Sequence, residues 1–390
     1  MKNQKLAVIG KGTAGSISTL FFSNYTNLDI DWYFDPKSPE QAVGEGTTLS
    51  FPNFLFNTLG LGYSKFEEVL DGTYKKGILK ENYNGLGSYH HSFSLGNSGV
   101  HFNALKFQNL VYNKLKSKIN IIPTKITDYN QIDSTHILDC SGKPSSYKGY
   151  NTTSIPVNSV HIVQCYWEKP QFEYTLTIAR PYGWVFGVPL QNRCSVGYLY
   201  NKDINSLEEV KEDIKNIFNQ YNLTPSNSTN TFSFNNYTKK TNFTERVSFN
   251  GNSSFFLEPI EATSIHTIES INIQLINMLK GDISLQQANL NYSEELKNIE
   301  HMIMLHYFAG SKFKTPFWEN AYQNSLLPIK EMTSSPKFKD IFSKTLNIDK
   351  NNSYLNIPPT PHLYGSWGPI SYYQNLKGLG ILDKINTLVK

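Results

Sequence analysis

A glycine-rich segment near the start of the chain has the composition and spacing of a phosphate-binding turn. Gly10, Gly12 and Gly15 form a G-x-G-x-x-G pattern, in which the first glycine permits a tight turn and the second lets the backbone approach a pyrophosphate. The third allows a helix, whose N-terminus faces the anion, to pack closely on a strand. Asp35 follows about 20 residues later, where an acid can bind a ribose hydroxyl. The pattern predicts a dinucleotide site, and the alternative is a glycine turn that only packs. The residues assigned to this site are Gly10, Gly12, Thr13, Ala14, Gly15 and Asp35.

The neighbouring elements place this segment between a strand and a helix. Lys5–Ile9 is predicted to form a short buried strand, and residues 16–24 have helical spacing of apolar side chains. Residues 28–34 alternate polar and apolar side chains, which predicts a second strand. Residues 135–139 form an apolar strand that ends in a small-residue turn at 140–142. A strand that returns to the nucleotide domain in this way favours FAD over NAD, although it is also consistent with an ordinary parallel strand.

The rest of the chain divides into a β-rich middle and a helical end. Residues 160–200 are rich in β-branched and aromatic side chains, which suggests an antiparallel sheet, whereas the Asn/Ser/Thr-rich residues 222–242 are interpreted as a surface loop. We therefore expect an α/β (α+β) protein. A Rossmann-like FAD-binding module over 1–315 would contain an interleaved antiparallel sheet at about 155–240. A C-terminal helical cap or substrate lid is expected over 316–390.

The composition argues against several classes of function. Hydrophobic residues make up 39% of the 390 residues and charged residues 17%, which allows a large core. The net charge of +4 comes from lysines scattered among acids, without the clustered basic face that nucleic-acid binding needs. No apolar stretch is long enough to cross a bilayer, and no secretory signal is expected. Cys140, Cys165 and Cys194 lack metal-site spacing and suit a reducing compartment, so we expect a cytoplasmic protein without a bound metal.

Further segments occur in the order found in one known family. They are Val43-Gly44-Glu45-Gly46-Thr47-Thr48, Asp71-Gly72-Thr73-Tyr74-Lys75, Asp139-Cys140-Ser141-Gly142, Gly183-Trp184-Val185-Phe186-Gly187-Val188-Pro189, FLEPIEATSI at 256–265, and Leu305-His306-Tyr307 with Thr315-Pro316-Phe317-Trp318. Together with the glycine segment, they make the chain resemble the flavin-dependent tryptophan halogenases, in particular the short viral (cyanophage-like) members. Phe186 stands where the family's W-x-W-x-I-P signature has its second tryptophan.

The resemblance implies that Lys75 is the catalytic lysine and that Glu261 is its carboxylate partner. Hypohalous acid is small and unselective, and an amine that hydrogen-bonds it or forms a haloamine can present electrophilic halogen to one substrate position. By the same match, Glu261 can hold the lysine and accept the proton that the substrate loses. Lys76 would point elsewhere on an extended backbone. The alternatives are a surface pair of lysines and, for Glu261, a charge stabilised at a helix start.

The resemblance also assigns the surroundings of these two residues. The halide would be bound by the backbone amides of Thr263 and Ser264, and Ser264 replaces the family's glycine. A side chain there could reshape the anion site, so we expect bromide or iodide to serve at least as well as chloride. The residues placed at the flavin are Glu45, Trp184 and Asn252, the last replacing an acid. The residues placed at the substrate are His91, Phe93 and Phe186. For Trp184 and Phe186, the alternative is an aromatic pair that only packs on one strand face.

The activity implied by the resemblance is halogenation of a small electron-rich aromatic or heteroaromatic molecule with FADH2, dioxygen and chloride, bromide or iodide. A separate flavin reductase would supply FADH2, because the sequence has no second nucleotide motif for NAD(P)H. Residues 80–89 and the tail after Trp318 are shorter than in typical tryptophan-specific members, which predicts an open pocket. No nucleic-acid or membrane partner is expected, and a homo-oligomer is left open. The alternatives are a flavin-dependent monooxygenase that hydroxylates its substrate and a non-catalytic flavin-binding protein.

Overall fold

The computed structural model describes residues 4–38, 44–93, 97–351 and 363–390. Val43, which begins one of the family-like segments, lies outside these ranges. The strands are β1 Lys5–Ile9, β2 Asp29–Tyr33, β3 Gly44–Gly46, β4 Thr73–Lys75, β5 Gly77–Glu81, β6 Ser88–Ser92, β7 Gly99–Asn103, β8 Asn120–Ile122, β9 His136–Asp139, β10 Tyr150–Thr152, β11 Ser159–Tyr166, β12 Thr175–Arg180, β13 Gly183–Pro189, β14 Arg193–Tyr200, β15 Thr224–Ser233, β16 Tyr237–Lys239, β17 Val247–Phe249 and β18 Phe255–Phe256. The helices are α1 Thr13–Tyr25, α2 Phe51–Leu59, α3 Tyr63–Leu70, α4 Ala104–Leu115, α5 Leu207–Gln220, α6 Ser264–Lys280, α7 Leu285–Ala309, α8 Pro316–Ser334, α9 Pro336–Asn351, α10 Pro369–Gly378 and α11 Leu382–Val389.

A five-stranded parallel sheet carries the glycine-rich segment. Its strand order is β17-β9-β1-β2-β8, and every neighbouring pair is parallel. Leu6, Ala7 and Val8 of β1 are fully buried, as expected for a parallel strand that is covered on both faces. The glycine segment connects β1 to α1, and β9 lies directly beside β1. This parallel sheet, together with the second sheet and the C-terminal helices, confirms the expected mixed α/β fold class.

A seven-stranded sheet forms the second layer, in the order β15-β11-β14-β13-β12-β5-β6. Its strand pairs are antiparallel except for β12 and β5, which run parallel. The sheet therefore takes two strands, β5 and β6, from a part of the chain that precedes its other members. These two strands carry Lys80 and His91 into the interior, where both side chains are buried.

The prediction that residues 222–242 form a surface loop is wrong. Residues 224–233 form β15, which pairs with β11 along the edge of the sheet, and residues 237–239 form β16. Nearly all side chains of β15 are exposed, so the strand has no alternation of apolar and polar residues by which it could be recognised. Its Asn, Ser and Thr residues are compatible with a solvated edge strand, which needs pairing on only one side.

A small sheet and the C-terminal helices complete the site's surroundings. The sheet has the order β3-β7-β4 and places Glu45 opposite Phe102 and Lys75 opposite Gly99. Helix α10 packs on β6 of the second sheet, and the hydroxyl of Tyr89 in β6 donates to the side chain of Asn375 in α10 at 3.1 Å. Within the described ranges, no helix is both long and apolar enough to span a membrane.

Candidate active site

The glycine-rich turn has no room for a Cβ at two of its glycines and has open space at the third. A Cβ at Gly10, where φ is +109°, would lie 2.3 Å from the carbonyl oxygen of Cys140. A Cβ at Gly15 would lie 2.0 Å from the carbonyl oxygen of Gly10, whereas a Cβ at Gly12 would meet no atom within 4 Å. Gly12 also caps α1 without any side-chain hydrogen bond. The open space at Gly12 and the first-turn amides of α1 fit a pyrophosphate, as the sequence pattern predicts.

The other residues assigned to the flavin surround this turn at different depths. The Thr13 hydroxyl donates to the Glu45 carboxylate at 3.1 Å, and desolvation raises the pKa of Glu45. Asp35 follows β2, and its carboxylate accepts from the amide of Lys37 at 2.9 Å. The Asn252 side chain is exposed, and only its backbone carbonyl is engaged, by the Tyr237 hydroxyl. Ala14 contacts the same region, because a Cβ at Gly251 would lie 2.4 Å from its Cβ. Glu45 therefore touches the turn directly, whereas the Asn252 side chain points to solvent.

Lys75 is a buried amine without a hydrogen-bond partner. Its side chain is fully buried, and its Nζ lies 5.4 Å from the centroid of the Phe93 ring. Burial lowers the pKa of Lys75 to about 7. The Glu261 carboxylate opposes this lowering, whereas the Lys80 charge adds to it. The next residue, Lys76, points outward and pairs with Glu173 at the surface. The strand alternation therefore separates the two lysines as predicted.

Glu261 is buried and accepts hydrogen bonds from three elements, but none comes from Lys75. One oxygen, Oε1, pairs with the Lys80 ammonium, whose side chain is also fully buried. The other, Oε2, accepts from His91 Nδ1 at 3.1 Å and from Trp367 Nε1 at 3.1 Å. Burial alone would raise the pKa of Glu261, but the Lys80 charge, followed by the contacts of the His306 and His91 rings with the carboxylate, holds it well below its usual range. The expectation that Glu261 holds Lys75 is therefore corrected, because Lys80 occupies the position of the partner.

His306 on α7 completes this cluster. Its Nδ1 lies 3.1 Å from the carbonyl oxygen of Ile303, which can only accept, so Nδ1 carries the proton. Burial, followed by the nearby Lys80 charge, lowers the pKa of His306 to about 4, and the ring is neutral near pH 7. Its Nε2 lone pair consequently accepts from Lys80 Nζ at 2.6 Å. The Lys80 ammonium thus donates to both His306 and Glu261.

Trp184 and Phe186 lie on one face of β13, with ring centroids 6.3 Å apart. Phe186 packs over the adjacent strand at Gly197, where a Cβ would lie 2.2 Å from its ring. Trp184 is fully buried, and its Nε1 donates to Glu258 at 3.0 Å. The Tyr307 hydroxyl donates to the same Glu258 oxygen at 2.7 Å, while the other oxygen is buried without a partner. Trp184 and Tyr307 therefore anchor the segment that contains Glu258 and Glu261.

The residues after Glu261 form a strained turn into α6. Ala262 has φ of +54°, a left-handed conformation that is unfavourable for a residue with a Cβ. Its amide donates to the carbonyl of Pro259 at 3.0 Å, so the turn is closed by its own backbone. Thr263 is buried and Ser264 is half-buried at the first turn of α6. The turn brings these two amides next to Glu261 in sequence and in space, with the positive end of the helix dipole toward the site.

The substrate-side residues form an aromatic cluster. The rings of His91 and Phe93 meet edge to face with centroids 6.0 Å apart, and Trp367 lies 5.3 Å from His91. His90 points the other way and packs on Tyr174 at 4.8 Å. The structure thus brings His91, Phe93 and Trp367 together around Glu261, and it leaves His90 outside.

Several members of the site were not predicted from the sequence. They are Lys80, Glu258, His306, Tyr307 and Trp367. Strand alternation could have indicated Lys80, because Ile78 and Lys80 share one face of β5 and Ile78 is buried. Trp367 follows a long interval in sequence, and nothing in its local pattern links it to Glu261. The site combines an amine with a lowered pKa, an ionised carboxylate and a cluster of aromatic rings. Together these groups could transfer an electrophile to an aromatic substrate and accept the proton that the substrate ring loses.

A family model and several curated proteins match this chain. The model of the tryptophan halogenase family matches residues 5–135 and 120–357. The chain is 24% identical over 151 residues to tryptophan 6-halogenase SttH from Streptomyces toxytricini, which covers 38% of this chain and 28% of that protein. It is 21% identical over 225 residues to tryptophan 7-halogenase RebH from Lentzea aerocolonigenes, which covers 54% of this chain and 40% of that protein. The matched part therefore spans less than half the length of these curated relatives.

A solved structure has the same fold over nearly the whole chain. Xcc4156, a flavin-dependent halogenase from Xanthomonas campestris, superposes with a TM-score of 0.78 and 18% sequence identity. The superposition covers 99% of this chain and 93% of that one. At this level of identity the likeness concerns the fold.

Proposed function

Because this chain belongs to the tryptophan halogenase family, we propose that it is a flavin-dependent halogenase acting on a small electron-rich aromatic or heteroaromatic molecule. The observation that carries the proposal is the buried Lys75 amine, which has no hydrogen-bond partner and lies beside the Phe93 ring. An amine with a pKa of about 7 is substantially neutral near physiological pH and is therefore nucleophilic. A buried lysine that served only the fold would be expected to have a counter-charge or an acceptor.

We propose that FAD, as FADH2, binds at the glycine-rich turn. The open space at Gly12 and the uncapped first turn of α1 support the pyrophosphate position, and Glu45 contacts the turn through Thr13. When bound, the reduced flavin would supply hypohalous acid from dioxygen and a halide ion. A separate flavin reductase would deliver FADH2. Asp35 would bind the ribose at the end of β2.

In the proposed reaction, Lys75 and Glu261 have separate tasks. The neutral Lys75 amine takes the halogen from hypohalous acid, and hydroxide leaves. The halogen then passes to a carbon of the aromatic ring, which restores the neutral amine. Glu261, which is ionised, accepts the proton that this carbon loses. His91 and Phe93 would hold the substrate ring beside Lys75, and their edge-to-face arrangement supports this role.

The remaining assignments are also proposals. Trp184 and Phe186 would separate the flavin from the substrate, and Asn252 would approach the flavin through its backbone, since its side chain is exposed. Thr263 and Ser264 would bind the halide, with bromide or iodide serving at least as well as chloride because Ser264 adds a side chain at this turn. We further propose that residues 316–390 act as a cap on the module formed by 1–315, with the sheet at about 155–240 interleaved in it.

A reductase-coupled assay tests the function. The protein, FAD, a flavin reductase and NADH are incubated with chloride, bromide or iodide and a panel of indoles and phenols, and the products are read by isotope pattern. We expect a halide-dependent mass gain. Halide-independent addition of one oxygen would instead identify a monooxygenase, and flavin binding without any product would identify a non-catalytic protein. Competition between halides that chloride clearly wins would reject the halide preference.

A further inference from the structure

The interior of the site contains a second lysine that the family-like segments do not assign. Lys80 lies on β5, two residues after the buried Ile78, so both side chains point into the protein. Its side chain is fully buried, and its strand pairs with β6, which carries His91. Burial lowers the pKa of Lys80, and the charge and hydrogen bond of Glu261 oppose this lowering. A buried ammonium is costly without such partners, so the charged form of Lys80 depends on Glu261.

Both acceptors of Lys80 belong to the site. One is Oε1 of Glu261, with which it forms an ion pair, and the other is Nε2 of His306 at 2.6 Å. His306 is held in the accepting tautomer because its Nδ1 donates to the carbonyl of Ile303. The ammonium is therefore fixed from two sides by groups on different elements.

The two oxygens of the Glu261 carboxylate have different hydrogen-bond partners. Oε1 faces Lys80, whereas Oε2 faces the donors His91 and Trp367 from the aromatic side of the site. The titratable groups that act electrostatically on Glu261 are Lys75 from β4, Lys80 from β5, Tyr83, Tyr89 and His91 on or beside β6, His306 from α7 and Tyr372 from α10. Among these described groups, Lys80 is the cation in direct contact with the carboxylate.

We propose that Lys80 is a positioning residue for the halogenation reaction, which holds the Glu261 carboxylate in its ionised form as the acceptor of the ring proton, while the Lys75 amine has no hydrogen-bond partner. The inference rests on the proposed function. Without an opposite charge in contact, a buried carboxylate takes up a proton more readily, and a protonated Glu261 could not accept the ring proton. With Lys80 in place, the negative charge is already matched. The site thus uses two amines, one as the counter-ion and one as the halogen carrier.

The first test measures the ionisation of Glu261 in the protein without substrate. Protein labelled with ¹³C at the glutamate side-chain carboxyl is titrated by NMR, and the Glu261 signal is assigned by its loss in Glu261→Gln. In the wild-type protein, Glu261 should remain ionised at pH values below its ordinary pKa. In Lys80→Met, its pKa should rise by about 1–3 pH units, because an adjacent opposite charge favours the carboxylate by this amount. Lys76→Met removes a surface lysine and should leave the signal unchanged.

The wild-type titration decides the matter even if Lys80→Met does not fold. If Glu261 in the wild-type protein, with Lys80 present, titrates at or above the ordinary carboxyl pKa, the proposal is refuted. A folded Lys80→Met protein whose Glu261 titrates as in the wild type refutes it as well. These readouts need no turnover, so they remain informative if the chain proves not to be a halogenase.

The second test uses the pH profile of product formation. Glu261 must be ionised to accept the ring proton, and its lowered pKa keeps it so as the pH falls. In Lys80→Met, the pH at which kcat falls on the acidic side should therefore be higher by about 1–3 pH units. At high pH, kcat should remain close to the wild-type value. If Lys80→Met instead loses product at every pH and releases free hypohalous acid, Lys80 is itself the halogen carrier and the proposal fails.

Discussion

Replacing Glu258 by glutamine should make the stability of the protein less dependent on pH. Glu258 is fully buried, and one of its oxygens accepts from both Trp184 Nε1 and the Tyr307 hydroxyl. Its other oxygen is buried without a partner. Burial raises the pKa of Glu258 to about 7, although the two hydrogen bonds and the Lys80 charge oppose the rise. The folded protein therefore binds a proton that the unfolded chain has already lost.

The size of the effect follows from the two pKa values. A rise from the ordinary 4.5 to about 7 corresponds to about 3 kcal/mol, since each pH unit is worth about 1.4 kcal/mol. For a group whose folded pKa is raised, this contribution is fully present below the unfolded pKa and is lost as the pH rises through the folded pKa. A glutamine side chain can accept the same two hydrogen bonds but does not titrate. The free energy of unfolding of Glu258→Gln, relative to the wild type, should therefore increase by about 3 kcal/mol from about pH 4.5 to about pH 8.

Urea unfolding of both proteins at several pH values measures this difference. The amide nitrogen of the glutamine would take the position of the Glu258 oxygen that has no partner. The resulting loss of stability is the same at every pH, so it does not affect the pH dependence of the difference. Glu212→Gln is the control, because Glu212 lies exposed on α5 and pairs with Lys215 at the surface. Its difference from the wild type should stay nearly constant. A Glu258→Gln difference that does not change with pH would refute the reasoning.

Two further substitutions test the turns of the site. Gly15→Ala should weaken FAD binding by at least about 100-fold in a fluorescence titration, because its Cβ would lie 2.0 Å from the carbonyl oxygen of Gly10 and the turn must shift; unchanged affinity would place the flavin elsewhere. Ala262→Gly should raise the free energy of unfolding by up to about 1 kcal/mol, because glycine tolerates φ of +54°, whereas Ala321→Gly inside α8 should lower it by about 1 kcal/mol. Equal destabilisation by both would show that the Ala262 turn is unstrained.

The glycine turn was predictable because its chemistry is local. The spacing of Gly10, Gly12 and Gly15 already requires a tight turn followed by a helix, and the structure has both. The opposite orientations of Lys75 and Lys76 were also predictable, since residues that are adjacent on a strand point to opposite sides. In each case the inference depends on geometry within a few residues.

The network around Glu261 was not predictable by the same reasoning. Its donors come from β5, β6 and the segment before α10, so their meeting depends on how the sheets and helices pack. The family resemblance linked Glu261 to Lys75, but a carboxylate has no preference for one lysine over another until distances are fixed. Strand alternation with Ile78 favours an inward Lys80, but buried lysines are rare, so the residue type favours a surface position.

The halogen-carrier role of Lys75 is the central claim, and Lys75→Met tests it most directly. Each variant is supplied with FADH2 by a reductase, and halogenated product and oxidised flavin are measured in parallel. Lys75→Met should lower product formation by at least about 100-fold while flavin oxidation continues, and the surface variant Lys76→Met should stay within about twofold of the wild type. Product formation by Lys75→Met at the wild-type rate would contradict the claim.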